Sequence, residues 1–163
     1  MRLNYLAYAI GLTLVYIGLV ILIPVIVAVI YGEYNSILPF LTASIISMII
    51  GAILRKSVPP SLDNLNDIKK GEGLFIVAVS WVIFGLVSSI PYLFYGITPI
   101  NSLFEAISGI TTTGATILTH YDYPHAFFFW RSFTQWLGGL GIIVLFIAIL
   151  PQFAVAGRQM FFA

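Results

Sequence analysis

Hydroxyl-bearing and glycine residues are concentrated in one short stretch of the chain. Residues 108–119 read Ser-Gly-Ile-Thr-Thr-Thr-Gly-Ala-Thr-Ile-Leu-Thr, and a long apolar segment lies on each side of them. The stretch offers threonine hydroxyls and main-chain carbonyls as oxygen ligands. Oxygen atoms of this kind can replace the water around a cation at membrane depth. These residues therefore favour cation coordination, and we call residues 111–116 the threonine segment.

The composition places this segment in a membrane protein. Of the 163 residues, 60% are hydrophobic and 8% are charged, whereas charged residues make up about a quarter of a typical soluble domain. The absence of cysteine excludes disulfides and thiolate metal sites. No set of hydrolase or protease residues accompanies the threonine segment, so we do not expect an enzyme. We expect the lipid bilayer as a partner, and neither an organic cofactor nor a nucleic acid.

Four apolar intervals are long enough to cross a bilayer as helices, which satisfy their own backbone groups in lipid. They run over residues 3–32, 37–54, 74–95 and 127–150, the last with an alternative start at Ser132. Pro24 predicts a kink in the first interval, and Pro151 predicts the end of the fourth. The sequence thus predicts an all-α integral membrane protein with a leading helix pair (1–58), a loop (59–73), a second unit (74–150) and the start of a linker (151–163).

The second unit contains an apolar piece too short to span a membrane, at about residues 99–109. Thr98 can cap a helix that begins at Pro99, Ser102 and Glu105 form a second possible start, and Gly109 is a natural terminator. A helix of this length would dip into the membrane and return through the threonine segment. Its C-terminal dipole end would favour a cation near the membrane centre.

Other interpretations of these residues stay open at this stage. The threonine segment is also compatible with a polar turn that joins two helices. Gly138 and Gly139 suit either a hinge or close helix packing. His120, Asp122 and His125 lack the spacing of a strong metal site, which favours an interfacial loop.

Lysine and arginine residues indicate the orientation. Both termini and the loop after the second span lie on one side if four spans are threaded, and that side carries all but one of the basic residues: Arg2, Arg55, Lys56, Lys69, Lys70 and Arg158. The positive-inside rule therefore predicts a multi-pass protein of the cell membrane with both termini in the cytoplasm. On the opposite side, Glu105 and Arg131 are expected to form an ion pair that supports the threonine segment.

Two motifs carry a resemblance to a known family. The first is Ser-Gly-Ile-Thr-Thr-Thr-Gly-Ala-Thr at residues 108–116, and the second is Phe-Trp-Arg-Ser-Phe-Thr-Gln-Trp-Leu-Gly-Gly-Leu-Gly-Ile-Ile-Val at residues 129–144. Together they resemble the first pore repeat of the Trk/Ktr/HKT potassium transporters, and the leading helix pair resembles the bacterial Trk branch. The resemblance implies two leading transmembrane helices and then one repeat of potassium-channel type, in the order helix, pore helix, filter and helix.

The resemblance also implies roles for the threonine segment. Thr112, Thr113, Gly114 and Ala115 would line a potassium filter through main-chain oxygens, Thr111 and Thr116 would flank it, and the potassium ion would bind at Thr112, Thr113 and Gly114. The implied activity is potassium transport across the cytoplasmic membrane, with potassium as the transported ion and a cytoplasmic nucleotide-binding regulatory subunit as a partner.

The repeat number departs from the family pattern. Its members carry four such repeats, whereas this sequence carries one. We therefore expect the chain to be a piece of a longer or split transporter whose other three repeats complete the filter. A homotetrameric potassium-permeable channel and a structural subunit without its own ion path are the alternatives.

Overall fold

A computed structural model describes residues 3–57 and 70–161, with side chains placed for residues 6–56 and 71–147. All regular secondary structure within these ranges is helical, and residues 111–124 are irregular. The helices are α1 (Leu3–Ile21), α2 (Ile23–Ile30), α3 (Ile37–Ser57), α4 (Lys70–Leu93), α5 (Pro99–Ile110) and α6 (His125–Phe161), and a single 3-10 turn (Tyr34–Ser36) precedes α3. Most of the predicted loop (59–73) lies outside the described residues.

Four stretches in the described residues are long and apolar enough to cross a membrane: Leu6–Ile30, Tyr34–Lys56, Gly71–Leu93 and His125–Ile147. This confirms the four predicted spans. The first is broken at Leu22, two residues before Pro24, which lies in the first turn of α2. A proline there removes an N–H that has no helical partner, so the helix restarts cleanly.

Two predicted boundaries are wrong. Residues 70–73, expected in the loop, form the first turn of α4. The fourth span does not stop at Pro151, because α6 continues as a helix to Phe161 and includes the residues expected to begin a linker. Membrane helices tolerate proline when neighbouring groups satisfy the carbonyl that it leaves free, so a proline alone does not mark a helix end there.

The leading helices α1 and α3 pack at backbone distance. A Cβ atom on Gly11 would lie 2.8 Å from the carbonyl oxygen of Gly51, so neither glycine leaves room for a side chain. Nearby, the Ser44 hydroxyl donates to the Gly18 carbonyl at 2.7 Å, and the Ser47 hydroxyl donates to the Leu14 carbonyl at 2.7 Å. Small residues and buried hydroxyls are the means by which helices associate in lipid.

An aromatic core joins the leading helices to the second unit. Phe40 of α3 contacts Trp130 of α6 edge to face, with ring centroids 6.1 Å apart, and Tyr92 of α4 contacts Phe127 of α6 in the same way at 5.1 Å. The indole N–H of Trp130 donates to the Ser88 carbonyl of α4 at 3.2 Å. This core fixes the position of α6, which is the support of the functional site.

Helix α5 runs from one side of the bundle to its middle. It starts at Pro99, shortly after the end of α4, and its last residue, Ile110, lies against Gly138 of α6. Gly138 lies about 20 Å along α6 from His125 at 1.5 Å per residue. The chain then returns, because Gly114 lies beside Gln135 and α6 itself begins at His125. Residues 99–124 therefore enter the bundle and leave it on the same side.

The contact between Gly138 and Ile110 leads to a first prediction. A Cβ atom on Gly138 would overlap the main-chain carbonyl of Ile110, whereas the nearest atom to a Cβ on Gly139 would be Thr112 Cγ2 at 3.9 Å. We expect Gly138→Ala to destabilise the fold by about 1–3 kcal/mol, because a backbone carbonyl cannot move aside, as in other overpacked cores. Gly139→Ala is the matched control and should be nearly neutral in thermal unfolding.

Equal effects of the two alanine variants would contradict this packing role. The structure gives close packing as a sufficient reason for the glycine at position 138. The interpretation of Gly138 and Gly139 as a hinge stays a prediction.

Candidate functional site

The start of α5 follows from its local sequence. Thr98 is the N-cap in extended conformation, its hydroxyl accepts a hydrogen bond from the Asn101 N–H at 3.4 Å, and Pro99 is the first helical residue. The second possible start is wrong, since Ser102 is inside the helix and its hydroxyl donates to the Ile97 carbonyl at 3.3 Å. Gly109 does not terminate the helix; it makes room for the Thr134 hydroxyl, which would lie 2.7 Å from a Cβ there.

The end of α5 is a Schellman motif built on threonine. The Thr112 N–H donates to the Gly109 carbonyl at 2.9 Å, and the Thr113 N–H donates to the Ser108 carbonyl at 3.0 Å. This pattern requires a left-handed residue just beyond the helix, and Thr112 takes that conformation with φ +57. A β-branched residue in this region is strained, and such strain clusters at functional sites.

Helix α2 ends in the same motif and provides an internal comparison. There the Glu33 N–H donates to the Ala28 carbonyl at 2.8 Å, and the left-handed residue is Gly32 with φ +70. Glycine adopts this conformation without steric cost. The chain thus uses glycine at an ordinary helix end and threonine at the end of α5, which makes Thr112 an observation that a plain turn does not explain.

The N–H groups of residues 111–114 all turn back toward α5. Those of Thr113 and Gly114 both donate to the Ser108 carbonyl, at 3.0 and 3.3 Å. Positive φ values at Thr112 and Gly114 alternate with negative values at Thr111 and Thr113. Such alternation directs successive N–H groups to one side, and here α5 itself fills that side.

The carbonyl groups of the segment are correspondingly bare. Within the described residues, the main-chain oxygens of Thr111, Thr112 and Thr113 accept no hydrogen bond from the protein. The Thr111 and Thr113 hydroxyls lie 2.8 Å apart, and residues 111–116 are exposed. Bare carbonyls at this depth in a membrane need a polar partner, because lipid offers none. The segment therefore exposes oxygen atoms rather than N–H groups, and this chemistry suits a cation better than an anion.

Glu105 anchors the C-terminal end of the segment. Its side chain is 0% exposed, and its carboxylate accepts hydrogen bonds from the Thr116 hydroxyl at 2.6 Å and from the Ile117 N–H at 2.8 Å. Arg131 Nε donates to the same carboxylate at 2.9 Å. A buried carboxylate requires such partners, and here they link α5, the returning chain and α6.

Two residues of the segment have carbonyls with protein donors. The Gly114 carbonyl accepts a hydrogen bond from Arg131 Nη2 at 3.3 Å, and the Ala115 carbonyl accepts one from the Ser108 hydroxyl at 2.6 Å. The structure thus brings together all the residues singled out from the sequence for the filter and its ion pair. It divides their main-chain oxygens into a bare set, at residues 111–113 and 116, and an occupied set, at residues 114 and 115.

Glu33 caps α6 from a distant part of the chain. Its carboxylate accepts hydrogen bonds from the His125 N–H at 2.8 Å and the Ala126 N–H at 3.1 Å, and His125 Nδ1 lies 2.7 Å from it. The His125 ring also stacks on Tyr31 with centroids 4.1 Å apart. Desolvation raises the pKa of Glu33, but the hydrogen bonds from His125 and Ala126 outweigh it, so this pKa lies below its ordinary value.

This cap predicts a dependence of stability on pH. A carboxylate with a lowered pKa stabilises the fold above its ordinary pKa of about 4.3, and that stabilisation is lost as the pH falls through the lower folded value. We expect Glu33→Gln to lower the free energy of unfolding by about 0.5–2 kcal/mol at pH 7, as for other lost caps. Thermal unfolding between pH 3 and 7 should show this difference shrinking at the acidic end.

His125→Phe is the matched control for the cap. The variant keeps an aromatic ring to stack on Tyr31 and keeps both N–H donors to Glu33, so it should retain most of the stabilisation. A stability difference for Glu33→Gln that is the same at pH 3 and pH 7 would contradict the role of the carboxylate.

The sequence did not indicate the roles of Ser108 and Glu33 in this region. Ser108 acts through the backbone of the threonine segment, and Glu33 acts through a partner 92 residues away, so no local pattern distinguishes these roles. Among the described residues no group of three metal-ligating side chains is present. His120 stacks on Tyr123 with centroids 5.0 Å apart, and His125 binds Glu33, so the structure does not bring the two histidines together with Asp122.

The fold and the site define a class of multi-pass helical membrane protein in which a short helix and a threonine-rich return segment enter the bundle from one side. The family model of TrkH, which is described as a cation transport protein, matches residues 40–162 of the chain. The chain belongs to the TrkH family of cation transport proteins.

Individual relatives support the same assignment. The chain is 36% identical to the Trk system potassium uptake protein TrkH of Escherichia coli over 93% of its own length and 32% of that protein. It is 34% identical to an uncharacterized cation transporter of Methanocaldococcus jannaschii over 83% of the chain and 28% of that protein. The crystal structure of the potassium transporter TrkH from Vibrio parahaemolyticus superimposes with a TM-score of 0.83 at 31% identity, covering 99% of this chain and 36% of that one. The chain thus spans about a third of the length of these relatives.

Proposed function

We propose that this chain contributes one of four filter segments to a potassium uptake pore of the Trk type. The observation that carries the proposal is the row of bare carbonyls at residues 111–113, whose N–H groups are turned back to α5. Potassium selectivity arises where carbonyl oxygens replace the hydration shell of the ion. The names of the relatives, which include Trk system potassium uptake proteins, agree with potassium as the ion.

In this proposal the potassium ion binds at the main-chain oxygens of Thr112 and Thr113. Gly114 is the third residue expected to bind the ion, but its carbonyl accepts a hydrogen bond from Arg131, so we assign it the backbone turn that keeps the other two in a row. Thr111 and Thr116 flank the site. Ala115 follows the row, but its carbonyl is engaged by Ser108 and is the least suited of the set to bind the ion. Helix α5 serves as the pore helix, with its C-terminal dipole end at the middle of the membrane.

One filter segment cannot surround an ion, so the pore requires three more. The threonine segment is exposed, and beside it the outer face of α5 carries Ile100, Leu103, Phe104 and Ile107 around an open groove. We propose that the remaining three repeats, in the same longer chain or as separate chains, cover this face. A cytoplasmic nucleotide-binding regulatory subunit is proposed from the family resemblance.

Potassium uptake tests the proposal directly. A transport-deficient cell would express the chain alone, or the chain together with the three further repeats. Uptake in the second case alone is the expected result. Uptake by the chain alone would favour a homotetrameric channel, and no uptake in either case, at normal protein levels, would favour a structural subunit.

The proposed orientation places both termini in the cytoplasm and residues 111–124 toward the outside. The contact between Glu33 and His125 places the turn between α2 and α3 on the same side of the bundle as the start of α6. The cation–π contact of Arg55 with Tyr8 places the end of α3 beside the start of α1, on the opposite side. The basic residues near those ends favour the cytoplasm.

Single cysteines introduced into this cysteine-free chain test the orientation. In intact cells an impermeant thiol reagent should label Asp122→Cys and should not label Ser61→Cys, a position outside the described residues. Lysed cells provide the control, since both positions should then react. Labelling of position 61 in intact cells would overturn the orientation.

A further inference from the structure

We infer that Ser108 is a positioning residue that decides which oxygens of the threonine segment face the cation, an inference that rests on the proposed function. Ser108 is 6% exposed and lies in the last turn of α5. Its carbonyl accepts the N–H groups of Thr113 and Gly114, and its hydroxyl donates to the Ala115 carbonyl at 2.6 Å. A single residue therefore binds two N–H groups of the segment and also the carbonyl that follows the bare row.

The hydroxyl bond sets the length of that row. It holds the Ala115 carbonyl against α5, whereas the oxygens at residues 111–113 have no protein donor among the described residues. The chain immediately beyond is held independently, because Glu105 binds the Thr116 hydroxyl and the Ile117 N–H. Loss of the Ser108 hydroxyl would thus release one peptide group and leave its neighbours fixed.

A released Ala115 carbonyl would alter the ligand field of the ion. The Ala115 carbonyl would lose the Ser108 hydroxyl as its donor, and the cation at the end of the row would become an available partner for this carbonyl. Selectivity between potassium and sodium depends on the number and the field strength of the coordinating carbonyls. The Ser108 hydroxyl acts on selectivity through the Ala115 carbonyl, without touching the ion.

The test compares two serine variants on the same helix. Ser108→Ala removes the bond to Ala115. Ser102→Ala removes another buried hydroxyl of the same helix, which donates to the Ile97 carbonyl at 3.3 Å near the start of α5. Potassium and sodium fluxes would be measured at matched expression in the assembly with all four repeats. We expect Ser108→Ala to lower the potassium-to-sodium flux ratio by about two- to tenfold, the range that one hydrogen bond is worth.

Ser102→Ala should leave the flux ratio unchanged, and Ser108→Thr should restore it by returning a hydroxyl to position 108. An unchanged ratio for Ser108→Ala, or equal changes for the two alanine variants, would overturn the inference while the proposed function stands. If the wild-type assembly moves no potassium, the proposed function itself fails, and the inference falls with it.

Discussion

Glu105→Ala is expected to lower the free energy of unfolding by about 3–5 kcal/mol, the range typical of a buried ion pair that loses one partner. The Glu105 side chain is fully buried and receives three donors, from Arg131, Thr116 and Ile117. Its removal leaves the Arg131 guanidinium, whose side chain is 22% exposed, with the Gly114 carbonyl as its remaining described partner. Unfolding of the purified chain in detergent, by heat or denaturant, measures the loss.

A double-mutant cycle separates the pair from its surroundings. Arg131→Ala alone should also be destabilising, and the double variant should lose less than the sum of the two, with a coupling of about 0.5–3 kcal/mol. Asp122→Ala removes an exposed carboxylate from the same side and should change stability by less than about 0.5 kcal/mol. Strict additivity of Glu105→Ala and Arg131→Ala would indicate two independently hydrated charges.

Gly114→Ser is expected to keep membrane insertion and to reduce the preference for potassium over sodium, by about tenfold. Gly114 has φ +74, and a Cβ there would lie 3.3 Å from Gln135 Nε2. A side chain in the left-handed region costs about 1–2 kcal/mol of backbone strain. Rotation of the peptide group at this position would relieve the strain and redirect a carbonyl of the row, and an energy of this size corresponds to roughly a tenfold change in selectivity. The measurement is relative potassium and sodium flux of the complete assembly at matched expression.

Gly96→Ser is the matched control for backbone strain. Gly96 has nearly the same conformation, φ +78, but no atom lies within 4 Å of a Cβ there. It should share the strain without the change in selectivity. Thr113→Ala should be milder than Gly114→Ser, because it removes the hydroxyl contact to Thr111 but keeps the main-chain oxygen. An unchanged flux ratio for Gly114→Ser at normal protein levels would favour the structural-subunit interpretation.

The sequence predicts those parts of the fold that depend on nearby residues. The four spans follow from uninterrupted apolar runs, and the start of α5 follows from Thr98 and Pro99, whose capping chemistry is complete within four residues. The approximate place of the threonine segment follows for the same reason. Local composition carries this information because a membrane helix satisfies its backbone within itself.

Features that depend on distant contacts were not predictable in this way. The sequence predicted a helix end at Gly109, but the missing side chain there instead leaves room for the Thr134 hydroxyl of α6. Glu33 caps a helix that begins 92 residues later, and Pro151 lies within a helix that continues. The left-handed conformation of Thr112 was also not predictable, because glycine or asparagine is the usual left-handed residue after a helix end. For Gly109, Glu33 and Thr112 the deciding atom belongs to another element or to the backbone.

Helix α6 is longer than the membrane is thick. From His125 to Phe161 it is a rod of about 55 Å, against a hydrocarbon thickness of about 30 Å, so about 20–25 Å of helix extends beyond its membrane-spanning part. Glu33 holds one end of the rod, and Ile110 presses against it at Gly138. A tilt of about 5° around Gly138 displaces Phe161 by about 3 Å, at 1.5 Å of rise per residue. Because Ile110 packs on the α6 backbone at Gly138, such a tilt would change the packing at the end of α5, where the threonine segment begins.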